Sequence, residues 1–147
     1  MQGMLFALAI VAGISLTVQI GANATLRGFL ANNALSAAFA SFLVGTLALA
    51  IYLIAGRVSW PARASLTAVP LWAWSGGILG AFYVATATLV GPRLGAAVFF
   101  SLVVLGQLAA SLLLDHFGWL GFAQHPVSLL RMGGVVLLLA GVVLITR

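Results

Sequence analysis

The chain has 147 residues, of which 64% are hydrophobic and 5% charged, with a mean hydropathy of +1.26. A soluble domain carries about 25% charged residues, so six arginines and one aspartate exclude a soluble globular fold and point to an integral membrane protein. The net charge of +5 comes from isolated arginines at positions 27, 57, 63, 93, 131 and 147, with no cluster and no interleaved aromatic platform, which excludes nucleic acid as a partner; the absence of cysteine excludes disulfides and thiolate chemistry.

Crossing a hydrocarbon core takes about 20 apolar residues, and five segments have that length. The first runs from about Gly3 to Gly21, with a helical continuation to Phe29 left open. It imitates a signal peptide, down to an A-x-A triplet at Ala22-Asn23-Ala24, but lacks a positive n-region and is read as a retained span. Asn32-Asn33 breaks the pattern, and either Asn33 or Ser36 caps the second span, Ala34 to Ala55. After Gly56 comes the one clearly hydrophilic connection, RVSWPARAS. The third span is about Val69 to Val90, with Pro70 in its first turn. The sequence GPR at 91–93 predicts a tight turn into the fourth span, about Leu94 to Leu114. DHFGWLGFAQHP, rich in glycine and aromatics, reads as an interfacial or partly re-entrant segment before the fifth span, Val127 to Thr146. Trp60, Trp72, Trp74 and Trp119 fall near span ends, as an aromatic belt requires. The expected fold is therefore an all-α membrane protein, with residues 1–147 forming a single five-helix transmembrane domain.

Five spans place the termini on opposite sides. One side then holds Arg57, Arg63 and Arg131, and the other holds Arg27, Arg93 and Arg147. Orientation follows the Lys/Arg asymmetry between short loops, and this chain has none beyond its amino terminus. The expectation is a mixed population of up and down chains that pair as antiparallel homodimers.

Small residues support close pairing. Gly13, Thr17 and Gly21 lie four apart on the first span, and Gly76 and Gly80 make a GxxxG on the third. Opposite the first stripe, Ser15, Gln19, Asn23 and Arg27 also fall four apart and share a slanted helix face. Gln107, Ser111 and Asp115 repeat the pattern on the fourth span. Amides facing lipid leave unpaired donors and acceptors, so both stripes are expected to face other helices or water and to line a common polar path. Tyr83, Thr86 and Thr88 add hydrogen-bonding groups on the third span. Arg27 is either a mouth for an anionic group or a headgroup anchor, and Arg131 snorkels toward headgroups. Asp115 is the only acid and so the only carboxylate available for proton coupling; the other expectation is that it caps a loop or pairs with an arginine. Asp115, His116 and His125 lack metal-ligand spacing. No nucleophile–base–acid set is present, so an enzyme is not expected, and neither metal nor cofactor is called for.

The run NATLRGFLANNALSAAFASFLVGTL, the turn GPRLGAA, the GQL at 106–108, and LDHFGWLG followed by HPVSLLRMGG together resemble the five-helix YdcZ-type family of the drug/metabolite transporter superfamily, from Gln19 to Leu144. The positions carrying the resemblance are Asn23, Arg27, Asn33, Ser41, Gly45, Thr46, Trp72, Gly76, Gly80, Tyr83, Pro92, Arg93, Gly95, Gln107, Asp115, His116, Gly118, Pro126 and Arg131. The resemblance implies one half of an inverted-repeat transporter, embedded in a bacterial cytoplasmic membrane. It assigns no site roles, so the path residues rest on the physical reading alone. The chain departs from many superfamily relatives in having no membrane-embedded glutamate, which disfavours cation/proton antiport. The function expected is transport of a small neutral or anionic metabolite by alternating access. The alternatives are a dual-topology anion channel and an accessory or structural subunit of a heterodimeric transporter.

Overall fold

The computed structural model describes residues 2–147. The described residues form helices α1 (Gln2–Phe29), α2 (Ala34–Ala55), a short α3 (Arg63–Thr67), α4 (Ser75–Leu94), α5 (Ala96–Phe117) and α6 (Leu129–Thr146), with 3₁₀ turns at Leu71–Trp74 and Trp119–Gly121 and no strand. Among them, five helical segments are long and apolar enough to cross a membrane: α1, α2, Leu71–Leu94, α5 and α6.

Local chemistry sets the boundaries. The first span continues as unbroken helix to Phe29. Asn33, in extended conformation, is the cap of α2. Its side-chain oxygen accepts from the amides of Leu35 at 2.8 Å and Ser36 at 3.2 Å, meeting donors that the first helical turn leaves without partners. Pro70 precedes the 3₁₀ turn that leads into α4. The turn expected at 91–93 lies elsewhere: Gly91, Pro92 and Arg93 are still helical, and α4 reaches Leu94. The connection is Gly95 alone, at φ +84° and ψ +148°, a conformation that essentially only glycine adopts. Pro92 stands in the last turn of α4, where it removes one helical donor, the amide that would serve the carbonyl of residue 88.

The described residues fall into two compact units, one ending at Pro92 and the other comprising Arg93–Arg147. In the first, α1 packs on α2. The buried residues Ile20, Asn23, Ala37, Ala38, Val84, Ala87, Thr88 and Gly91 gather toward the C-terminal ends of α1 and α4 and the start of α2. Alanine, glycine and threonine dominate this set, and small side chains let helix backbones approach closely in lipid. In the second unit α5 packs on α6, with Phe99 and Val142 buried toward one end of the pair. The large apolar side chains along the rest of the spans, such as Ile10, Ile51, Phe82 and Leu137, are exposed. That is how helices meet hydrocarbon rather than water.

A polar site at the end of the first unit

The α1 stripe divides by position. Ser15 is exposed and donates to its own helix at Val11 O (2.9 Å); Thr17 does the same to Gly13 O (3.3 Å). Gln19 is half-buried and lines a cavity of about 230 Å³ with Ser41, Phe42, Gly45, Thr46 and Leu49 of α2. Asn23 is only 3% exposed, and its Nδ2 has no hydrogen-bond partner among the described residues. Arg27, one turn further on, is half-buried. Its Nη1 donates to the carbonyl of Thr88 at 3.2 Å, while its Nε is buried without a partner among the described residues.

Why the Thr88 carbonyl is free follows from the sequence. In a helix it would accept from the amide of residue 92, and residue 92 is proline, which has no N–H. Pro92 therefore leaves an acceptor on buried α4 backbone, and Arg27 occupies it. Thr88 is fully buried and satisfies its own hydroxyl on Val84 O at 2.8 Å. Tyr83, also on α4, buries its hydroxyl without a partner among the described residues.

The α5 stripe lies in the second unit. Ser111 and Asp115 line a cavity of about 320 Å³ together with Leu108, Leu112, Arg131, Gly134 and Val135. Gln107 is exposed and does not line it. Gln19 of one stripe, and Ser111 with Asp115 of the other, thus line separate cavities, each inside its own unit. Asp115 pairs with Arg131, Oδ2 to Nη1 at 3.3 Å, and the same Nη1 donates to His125 O at 3.4 Å. The segment after α5 folds back over the helix end. Gly118 caps it in the left-handed region (φ 64°), His125 N donates to Asp115 O (2.7 Å), and Gln124 Nε2 donates to His116 O (3.0 Å). These bonds satisfy carbonyls that a helix terminus leaves open. His116 Nδ1 accepts from Val127 N at 3.2 Å, and Ser128 caps α6 by accepting from Arg131 N at 3.3 Å. No three metal-ligating side chains converge among the described residues.

Of the expected packing glycines, Gly80 meets a neighbouring helix: a Cβ there would lie 3.5 Å from the Phe42 ring. At Gly13, Gly21 and Gly76 a Cβ would meet nothing within 4 Å among the described residues. Sequence reasoning passed over Ser41 and Thr46 as cavity-lining groups, although Ser41 and Gly45 are four apart on α2. It also passed over the Thr88 carbonyl, whose signal was a proline four residues later.

The family described as "Putative inner membrane exporter, YdcZ" matches residues 4–144. No curated protein and no solved structure matches the chain.

Proposed function

The chain belongs to the YdcZ family of inner-membrane exporters, and from that premise we propose that it moves a small metabolite by alternating access as an antiparallel, dual-topology homodimer. Residues 1–147 act as one five-helix domain, two oppositely inserted copies supply the inverted halves, and the solute passes between them. The observation that carries this reading is the inward placement of Gln19, Asn23 and Arg27 on a helix whose other side chains are mostly apolar and exposed. Intramembrane amides and charges are costly, and they concentrate along substrate paths. Ser15 and Gln107 are exposed in the single chain and meet the partner copy, as do the open faces at Gly13, Thr17, Gly21 and Gly76. Ser111 lines the path on α5. Any proton coupling borne by a carboxylate passes through Asp115, the only acid in the sequence. Transport, not catalysis, is the chemistry this set of side chains serves.

The experiment is topology. The chain has no native cysteine, so Arg147→Cys places a single reporter at the C-terminus. In intact cells a membrane-impermeant maleimide labels about half of the sites if the chain inserts both ways. Labelling of nearly all or nearly none sinks the antiparallel homodimer and leaves a parallel dimer or a heterodimer. Gln19→Leu then tests the path: solute flux in proteoliposomes falls, and unchanged flux removes Gln19 from it.

A further inference from the structure

The geometry points to Asn23, Arg27 and Tyr83 as a binding site for an oxyanion group, a carboxylate or a phosphate, of the transported solute or of a lipid. This assignment rests on the polar-path reading above. The first and third spans, α1 and α4, run in the same direction, and the Arg27–Thr88 hydrogen bond fixes their register. One turn back along each helix, Asn23 stands level with Val84, the residue that follows Tyr83 in sequence. The same register brings Phe42 of α2 to Gly80 of α4, a turn further in.

Three atoms in this end of the unit are buried without partners among the described residues: Asn23 Nδ2, Arg27 Nε and Tyr83 Oη. All three carry N–H or O–H donors, and the first two are donors only. Buried donors left unpaired cost more than a hydrogen bond returns, so a group that belongs here brings acceptors. The charge balance sharpens the point. Arg27 is cationic, and the chain's one acid, Asp115, is paired with Arg131 in the other unit. The counter-charge for Arg27 therefore comes from outside the side chains of this protomer. An acceptor-rich anion with two or more oxygens meets both demands, since a guanidinium hydrogen-bonds carboxylate and phosphate through adjacent N–H groups. A cation meets neither, and a neutral amine brings one acceptor and no charge. The Thr88 carbonyl holds Arg27 Nη1 and thereby fixes the guanidinium, whose Nε stays buried without a partner among the described residues.

The test is binding, measured without transport. The full chain is placed in phosphatidylcholine nanodiscs, and its thermal midpoint is followed with succinate or inorganic phosphate against chloride at matched ionic strength. A ligand that binds the folded state raises the midpoint with concentration. In the wild type the midpoint rises with at least one oxyanion. Tyr83→Phe, which removes one hydroxyl and keeps the ring, weakens the apparent affinity about tenfold. Arg27→Gln abolishes the rise, and Arg147→Gln keeps it. If only added phosphatidylglycerol raises the midpoint, again through Arg27 and Tyr83, the site holds a lipid headgroup. If no anion or anionic lipid separates the wild type from both variants, the site is overturned. A chain that transports solute yet gives that last result keeps the transport reading and loses this site. A chain that binds an oxyanion through Arg27 yet passes no solute does the reverse.

Discussion

Arg27 occupies the place that Pro92 vacates: its Nη1 lies 3.2 Å from the Thr88 carbonyl, the acceptor that a residue-92 amide would engage in an ordinary helix. A proline and an arginine 65 positions apart thus share one acceptor. Arg27→Met leaves that buried carbonyl short of a donor and costs about 1–3 kcal/mol of stability. In a Pro92→Ala background the restored amide serves Thr88, and the same substitution costs less. A double-mutant cycle of denaturant unfolding reads the difference; strict additivity would show that the two residues do not share the carbonyl.

The Asp115–Arg131 pair is of another kind. Its side chains are 30% and 40% exposed, and pairs so open to solvent contribute about 1 kcal/mol or less. Asp115→Asn therefore leaves the chain folded with a small loss of stability, and the coupling to Arg131→Gln in a double-mutant cycle stays below about 1 kcal/mol. A coupling several times larger would mean that the pair is shielded in the assembled protein.

Orientation offers a functional prediction. Lysines added to the connection after α2, as in Ser59→Lys with Ser65→Lys, bias the chain toward one orientation. Flux through such a variant falls sharply. Co-expression with a chain biased the opposite way, Phe29→Lys with Thr146→Lys, restores it. Full flux from a uniformly oriented population would rule out the antiparallel arrangement.

Gly95 carries the whole α4–α5 connection at φ +84°. Gly95→Ala puts a side chain into a conformation that disfavours it by about 1–3 kcal/mol. The unfolding midpoint drops accordingly, whereas Gly133→Ala, where a Cβ meets nothing within 4 Å among the described residues, changes it little.

The spans were legible because their signal is compositional: apolar runs of sufficient length, broken by Asn33, Gly56 and the GFAQHP segment, need no partner to be read. The α4–α5 turn was misplaced because Gly91, Pro92 and Arg93 look like turn residues. Proline breaks a helix less when it stands in the final turn, and the glycine needed for positive φ was Gly95, two residues on. The inward turn of Asn23 was legible from the cost of an unpaired amide in lipid, whereas Arg27, near a span end, read as a mouth residue or a headgroup anchor. What Arg27 faces was not legible, because Thr88 offers a main-chain atom, and main-chain acceptors are invisible in a side-chain pattern. The fold-back of Gln124 and His125 onto the end of α5 escaped for a similar reason, since those bonds end on backbone carbonyls.

The Arg27–Thr88 contact also imposes an order on biosynthesis. The ribosome makes Thr88 61 residues after Arg27. While α1 and α2 emerge and close on the Asn33 cap, the guanidinium has no acceptor on α4 to enter, and it acts as a full positive charge at the mouth of the first hairpin. By the positive-inside rule such a charge counts toward orientation, and the bond to Thr88 can form only after α4 has been made. One residue serves first as a topogenic signal for the nascent chain and later as part of the folded interior.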